Sequence, residues 1–228
     1  MHNTNRAEAF IAGLGDREIM SYLTYWRELI PHTPRDVWLR WVFAFMSIHT
    51  SWQNNVKGYL AIKALPAPFD KSSLAQAIAS AGVGLNTNRL RGIWEFTQLY
   101  QQHPWWFVPR PAETMAHMRD RFADGLFGIG MAKTSFVLEM QYPVTCGVVC
   151  LDTHILQLYE VSRDTPGKDQ YHDIEGHWCE CCRKRGVSAP LARHRYWDKL
   201  QQQDDTRYWA WCLENNDGLP DKAASRGS

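Results

Sequence analysis

Little in this sequence alternates apolar with polar residues at the two-residue period of a half-buried strand, which excludes a sheet-based core and leaves helices to build one. Long apolar runs are missing too. The longest, Trp41 to Met46, falls far short of the roughly 18 residues a membrane span needs. The stretch from Met1 to Arg6 has no signal-peptide character, so a soluble, cytoplasmic protein without a membrane partner is expected. Charge of one sign is absent: 25 basic against 24 acidic residues leave a formal +1. Any grip on a polyanion must therefore come from a local basic face. Arg183-Lys184-Arg185 and Arg193-His194-Arg195 are the two candidates, with a solvated helix surface as the equal alternative. No Walker or Rossmann glycine pattern is present, so no nucleotide-driven step is expected, and no internal repeat is found. Six cysteines without an export signal argue for reduced thiols rather than a disulfide framework.

What the chain does have is apolar and aromatic mass. Of its 228 residues 45% are hydrophobic and 13% aromatic, enough for one sizeable core or two small helical lobes. Helical spacing runs from Arg17 to Leu29, Pro31 to Pro34 interrupts it, and Asp36 is expected to open the next helix. That helix, Val37 to Ser47, is apolar nearly all round and so predicts a central buried position. Further helices are expected at about 54–64, 72–80, 87–102 and 111–123, separated by Pro66, Pro68, Gly82, Gly84 and Pro104. Met131 to Met140 reads as a helix, 141–151 as an irregular loop, and Asp152 as the cap of a further helix. A polar loop over 162–170 precedes Trp- and Arg-rich helices, and 217–228 reads as a frayed tail. The fold class is all-α, with residues 1–216 forming one two-lobed domain.

The chemistry starts at Leu126-Phe-Gly-Ile-Gly-Met-Ala-Lys133, which has the form L-x-G-(I/V)-G-x-x. Glycines allow a tight turn, and the free N–H groups opening the next helix can point at a phosphate with the helix dipole behind them. Alone, such a turn is more often an ordinary helix connection. Nineteen residues after Lys133, however, Asp152 stands in Cys150-Leu-Asp-Thr-His-Ile155. This order resembles that of the helix-hairpin-helix base-excision DNA glycosylases, where a V-D-T-H segment follows the hairpin. Phe45-Met-Ser-Ile-His-Thr-Ser-Trp-Gln53 is similar to that family's buried helix ending in polar residues that reach the flipped base, and Asn88 to Leu99 to the helix after it. The resemblance spans about residues 20–160.

It implies a two-lobed fold with a cleft, double-stranded DNA held by Gly128, Ile129, Gly130, Met131 and Ala132, and a nucleotide turned out of the duplex. It also implies Asp152 as the catalytic carboxylate, with Ser47, His49, Thr50, Gln53 and His154 around the base or filling its gap. The plain alternative for Asp152 is a helix N-cap.

The sequence departs from the family at the bifunctional enzymes' Schiff-base lysine, which here is Ala132. Lys133, about 100° further round the helix, is left for phosphate or a charged group on the substrate. His49 replaces the gap-filling glutamine. The cysteines lack the C-x6-C-x2-C-x5-C spacing of the family's iron-sulfur cluster: Cys179, Cys181 and Cys182 are followed only by the distant Cys212. Zinc held by Cys179, Cys182 and one of His172, His177 or His194 is an alternative to plain thiols, and no cofactor or metal is expected. Aromatic residues over Ala192–Asp198 and Tyr208–Cys212 read as core, with stacking on an extruded base as the lesser alternative.

In detail the pattern looks like that of phage-encoded members, the α-glutamyl/putrescinyl thymine pyrophosphorylase-type proteins that include amino acid:DNA transferases. That resemblance implies transfer of a free amino acid or amine, glycine first, onto phosphorylated 5-hydroxymethyluracil in thymidine hypermodification, with Asp152 and Lys133 catalytic. Removal of a modified or mismatched base by a monofunctional glycosylase is the alternative, and a non-catalytic DNA-binding module the third. A monomer is expected, in the host cytoplasm if phage-encoded.

Overall fold

The computed structural model describes residues 3–67, 69–82, 84, 86–161 and 166–202. Among them there is no strand, and the chain is all-α. They divide into two compact units, residues 31–137 and residues 3–30 with 138–202. No helix among the described residues is long and apolar enough to cross a membrane.

The 31–137 unit is organised around α3 (Pro34–Met46), in which every residue from Trp38 to Met46 is buried. Its start lies two residues before the expected Asp36. Thr33 is the N-cap, Pro34 supplies the pre-set φ of the first helical position, and Asp36 closes a capping box with Thr33. Trp41 packs against Phe96, Phe107 and Phe122, with centroids 5.1–5.6 Å away, and Phe43 against Trp52, Tyr59 and Phe136. Each such ring removed from water contributes on the order of 2–3 kcal/mol, so this cluster dominates the unit's stability. Around α3 lie α4 (Trp52–Lys63), α5 (Lys71–Ser80) and α6 (Asn86–Gln102). At Gly58 of α4 the flexible end of Met46 fills the space a Cβ would take, with Cε 2.0 Å from that position. After a 3₁₀ turn (Pro104–Phe107), α7 (Met115–Gly125) begins four residues later than expected because Thr114, not an earlier residue, caps it. The division between the units falls within α8 (Met131–Gln141), after Val137.

The second unit holds α1 (Asn5–Ala12), α2 (Asp16–Glu28), the end of α8, α9 (Thr153–Leu158), α10 (Lys168–Arg185) and α11 (Ala189–Leu200). Helix α1 packs on α10 and α2 on α11. Trp26 lies against His194 at 4.3 Å, and Trp178 donates from its ring N–H to Ala189 O at 3.2 Å. Gly186, with φ +75°, ends α10 in the left-handed conformation that reverses the chain into α11.

Candidate active site

The 148–152 segment ahead of α9 has no secondary structure of its own, so its buried N–H groups need side-chain partners. They find carboxylates. Val149 N donates to Glu175 Oε1 at 2.9 Å and Cys150 N to Glu139 Oε1 at 2.8 Å, while Tyr171 Oη accepts from Leu151 N and donates to Val149 O at 2.8 Å. This frame presents Asp152, the N-cap of α9, whose Oδ1 accepts from His154 N and Ile155 N at 3.0 Å each. The cap expected from sequence is therefore present, and it leaves Oδ2 for another partner.

That partner is Arg193. Its Nη2 donates to Asp152 Oδ2 at 2.8 Å and its Nη1 to Glu139 Oε2 at 3.2 Å, so one guanidinium joins two carboxylates. Exposure differs sharply along the chain of charges: Glu139 0%, Arg193 7%, Asp152 18%. Asp152 is the member that solvent reaches. Burial works against its charge, but Arg193 and the α9 N–H groups outweigh it and hold the carboxyl below the ordinary aspartate range. Burial likewise opposes the charge on Arg193, and Glu139 and Asp152 overcome that, keeping it protonated. Glu139 goes the other way: burial pushes its carboxyl up to about 7 in spite of Arg193. His194 Nε2 stands 3.5 Å from Glu139 Oε2, but burial and then the neighbouring Arg193 push the imidazole well down, so it is neutral.

This corrects one expectation. Arg193-His194-Arg195 is not a basic outer face, because Arg193 and His194 are buried and Arg195 pairs with Glu18. The other basic run is a solvated helix surface, with Arg183 and Lys184 on Glu180 and Arg185 on Asp16. Cys179, Cys181 and Cys182 do not converge. Cys179 Sγ faces Gly147 O, Cys181 lies beside His177 and Cys182 is buried, and no group of three ligating residues capable of holding a metal occurs among the described residues. In the Ala192–Asp198 stretch Ala192, Arg193, His194 and Asp198 are buried, whereas the aromatic residues Tyr196 and Trp197, expected in the core, are half-buried; Tyr208–Cys212 and 217–228 lie outside the described residues.

The hairpin residues belong to the 31–137 unit. Leu126 and Ile129 are buried anchors, Gly128 has φ +77°, and Gly130 is exposed with open space where a Cβ would stand. The turn lies close on α6: a Cβ on Gly92 would meet Phe127 O and the Phe45 ring at 3.1 Å. Gly130 O accepts from Lys133 N and Thr134 N, so α8 starts directly after the turn, and the N–H groups of Gly130, Met131 and Ala132 precede its first intrahelical bonds. Met131, Ala132 and Lys133 are half-buried, with Lys133 Nζ 5.6 Å from the Phe136 ring centroid.

Ser47, His49 and Thr50 lie on the α3–α4 connection and Gln53 in the first turn of α4. Ser47 Oγ donates back to Ala44 O at 2.7 Å, His49 and Gln53 are exposed, Thr50 is half-buried, and His49 adopts φ +45°. Sequence reasoning missed what holds this turn. Buried Arg89 donates to Phe45 O at 2.6 Å, Met46 O at 3.0 Å and Ile48 O at 2.8 Å, capping the end of α3 and the turn after it; Phe45 O also accepts from Ile48 N at 3.4 Å. His154, in the other unit, is half-buried in the first turn of α9.

No protein-family model and no curated protein matches the chain. Solved structures do. The 8-oxoguanine glycosylase/lyase of Methanocaldococcus jannaschii, in complex with 15mer DNA containing 8-oxoguanine, aligns at TM-score 0.62 and 16% identity over 82% of this chain and 89% of its own. The 8-oxoguanine DNA glycosylase of Thermotoga maritima aligns at TM-score 0.63 and 16% identity over 89% and 94%. Identity this low speaks for the fold alone, and the chain has the all-α helix-hairpin-helix fold of the DNA glycosylases.

Proposed function

We propose that this protein is an enzyme that acts on a base turned out of double-stranded DNA, with Asp152 as its catalytic anion, and that it substitutes on the base rather than cutting the strand. One observation carries the reading. Asp152 is an ionised, partly exposed carboxylate at the start of α9, with its lone pairs engaged by two N–H groups and a guanidinium. A carboxylate so occupied is a weak proton acceptor and a fixed negative charge, the group that stabilises a cation developing in a transition state.

The reaction favoured by the sequence pattern is transfer of a free amino acid or amine, glycine first, to phosphorylated 5-hydroxymethyluracil. The bond from the 5-methylene carbon to the phosphate oxygen breaks, and its electron pair leaves with phosphate. The amine nitrogen forms the new carbon–nitrogen bond and releases a proton to solvent. Asp152 stabilises the ammonium as it forms, and Lys133 receives the departing phosphate charge. The hairpin N–H groups from Gly128 to Ala132 bind backbone phosphate, and Ser47, His49, Thr50, Gln53 and His154 contact the extruded base or its gap. With Ala132 in place of the Schiff-base lysine, no covalent intermediate is required.

A second reading, monofunctional excision of a modified or mismatched base, is favoured by the 8-oxoguanine glycosylases that share the fold. There Asp152 stabilises the cationic sugar as the base departs. One experiment separates the two. Duplex DNA carrying phosphorylated 5-hydroxymethyluracil is incubated with the protein and mixed amino acids, then digested and weighed as nucleosides. An amino-acid-bearing nucleoside that Asp152→Ala abolishes supports transfer. Free base with abasic sites supports excision, and neither product, across damaged and mismatched substrates as well, overturns both.

A further inference from the structure

The Asp152 carboxylate does not stand alone, and the groups behind it come from three other elements. Arg193 of α11 reaches it and with its other terminal nitrogen reaches Glu139 of α8, and Glu139 also receives the Cys150 N–H two residues before Asp152. Glu175 of α10 holds Val149 N in the same way. We propose that Glu139 is a positioning residue that sets the effective charge of Asp152: by taking the charge of the shared Arg193 guanidinium, ionised Glu139 leaves the Asp152 charge uncompensated toward substrate. This rests on the reading of Asp152 as the catalytic anion.

The argument is one of counting charges in a buried space. With Glu139 protonated, Asp152 and Arg193 cancel, and a cation forming nearby meets a neutral pair. With Glu139 ionised, the three groups sum to −1, and the member that solvent and substrate reach is Asp152, since Glu139 is wholly buried and Arg193 nearly so. Charge placed there acts at low effective dielectric and is poorly screened. Two of the other groups facing Glu139 carry no charge. His194 is neutral because burial and Arg193 push it down, and Cys146 stays a thiol because burial pushes it up. Glu175 adds negative charge that opposes ionisation of Glu139. Burial brings the Glu139 carboxyl to about 7, so the two charge states interchange near neutral pH.

Two measurements test this, one of them free of any assumption about the reaction. In the free protein, carbon-13 NMR of the labelled Asp152 carboxyl is followed from about pH 5 to about pH 9, where Asp152 itself stays ionised, in wild type, Glu139→Gln and Arg193→Met. The wild-type resonance is expected to shift with a midpoint at about 7 as Glu139 ionises, Glu139→Gln to abolish that step, and Arg193→Met to move it to higher pH by about one unit. In turnover with whichever substrate the protein accepts, wild-type kcat is expected to rise with pH through about 7, and Glu139→Gln to lose that limb and fall about tenfold at pH 8 with KM little changed. A wild-type Asp152 resonance with no step near about 7 overturns the proposal, as does a step or a rising limb of kcat that persists in Glu139→Gln. If wild type turns over neither substrate class, the functional reading fails while the carboxyl titration still decides the role of Glu139. Glutamine keeps the Cys150 N–H acceptor, so Glu139→Gln is expected to fold even where Arg193→Met does not.

Discussion

Arg89→Met should cost about 3 kcal/mol of stability, a figure that follows from what the guanidinium does. It is buried, and it donates to three carbonyls at 2.6–3.0 Å and to Gly84 O at 3.4 Å, all at or near the end of α3 and the loop before α6. Methionine fills much the same volume, so the packing loss is small. What is lost is the donor to the Met46 and Ile48 carbonyls and the short bond to the Phe45 carbonyl, which keeps only the longer bond from Ile48 N at 3.4 Å. Each buried acceptor left without one costs about 1–3 kcal/mol. The desolvation of a guanidinium that no longer needs burying offsets part of this, and Ile48, half-buried, regains some water. Roughly 1 kcal/mol per carbonyl remains. For a chain of this size that is a fall in Tm of about 6–12 °C, read by calorimetry at fixed pH. Arg89→Lys, with one compact ammonium in place of a fork, should recover less than half. A fall in Tm below about 2 °C for the methionine variant would refute the assignment of Arg89 as the clamp of the α3–α4 turn.

Asp152→Asn keeps a cap oxygen for His154 N and Ile155 N but removes the charge, so kcat is expected to fall about 10²–10³-fold while DNA affinity by gel shift stays within about threefold. Stability should carry the mark of Glu139, whose carboxyl rises from 4.5 to about 7 on folding through burial. Because the folded state favours the protonated form, this group's contribution is complete below pH 4.5 and lost as pH rises to 7, by about 3 kcal/mol. Urea midpoints at pH 5 and pH 8 should therefore differ more in wild type than in Glu139→Gln. Gly92→Ala puts a Cβ 3.1 Å from Phe127 O and the Phe45 ring, so the hairpin backbone and the ring must each give by a few tenths of an ångström. A loss of about 1–3 kcal/mol and weaker DNA binding by gel shift are expected, with unchanged binding counting against the hairpin as the phosphate contact.

The local features were open to reading because their causes are local. A left-handed glycine in a tight turn, an apolar helix from Trp38 to Met46 and an aspartate at a helix start each depend on a handful of neighbouring residues. Helix ends were less legible where a cap competed with the pattern, as at Thr33 and Thr114.

The sequence by itself determined that the chain is helical, that a glycine turn precedes an aspartate-capped helix, and that Ala132 stands where the resemblance would place a Schiff-base lysine. Only the tertiary structure decided which charges meet. Arg193 lies 41 residues from Asp152 and 54 from Glu139, and Arg89 lies 44 from Phe45, so no periodicity or spacing relates them. From sequence, Arg193-His194-Arg195 was as much a surface run as Arg183-Lys184-Arg185. Folding buried the first pair against two carboxylates and left the second run on the surface, because a charge can leave water only where a partner of opposite sign is brought to it.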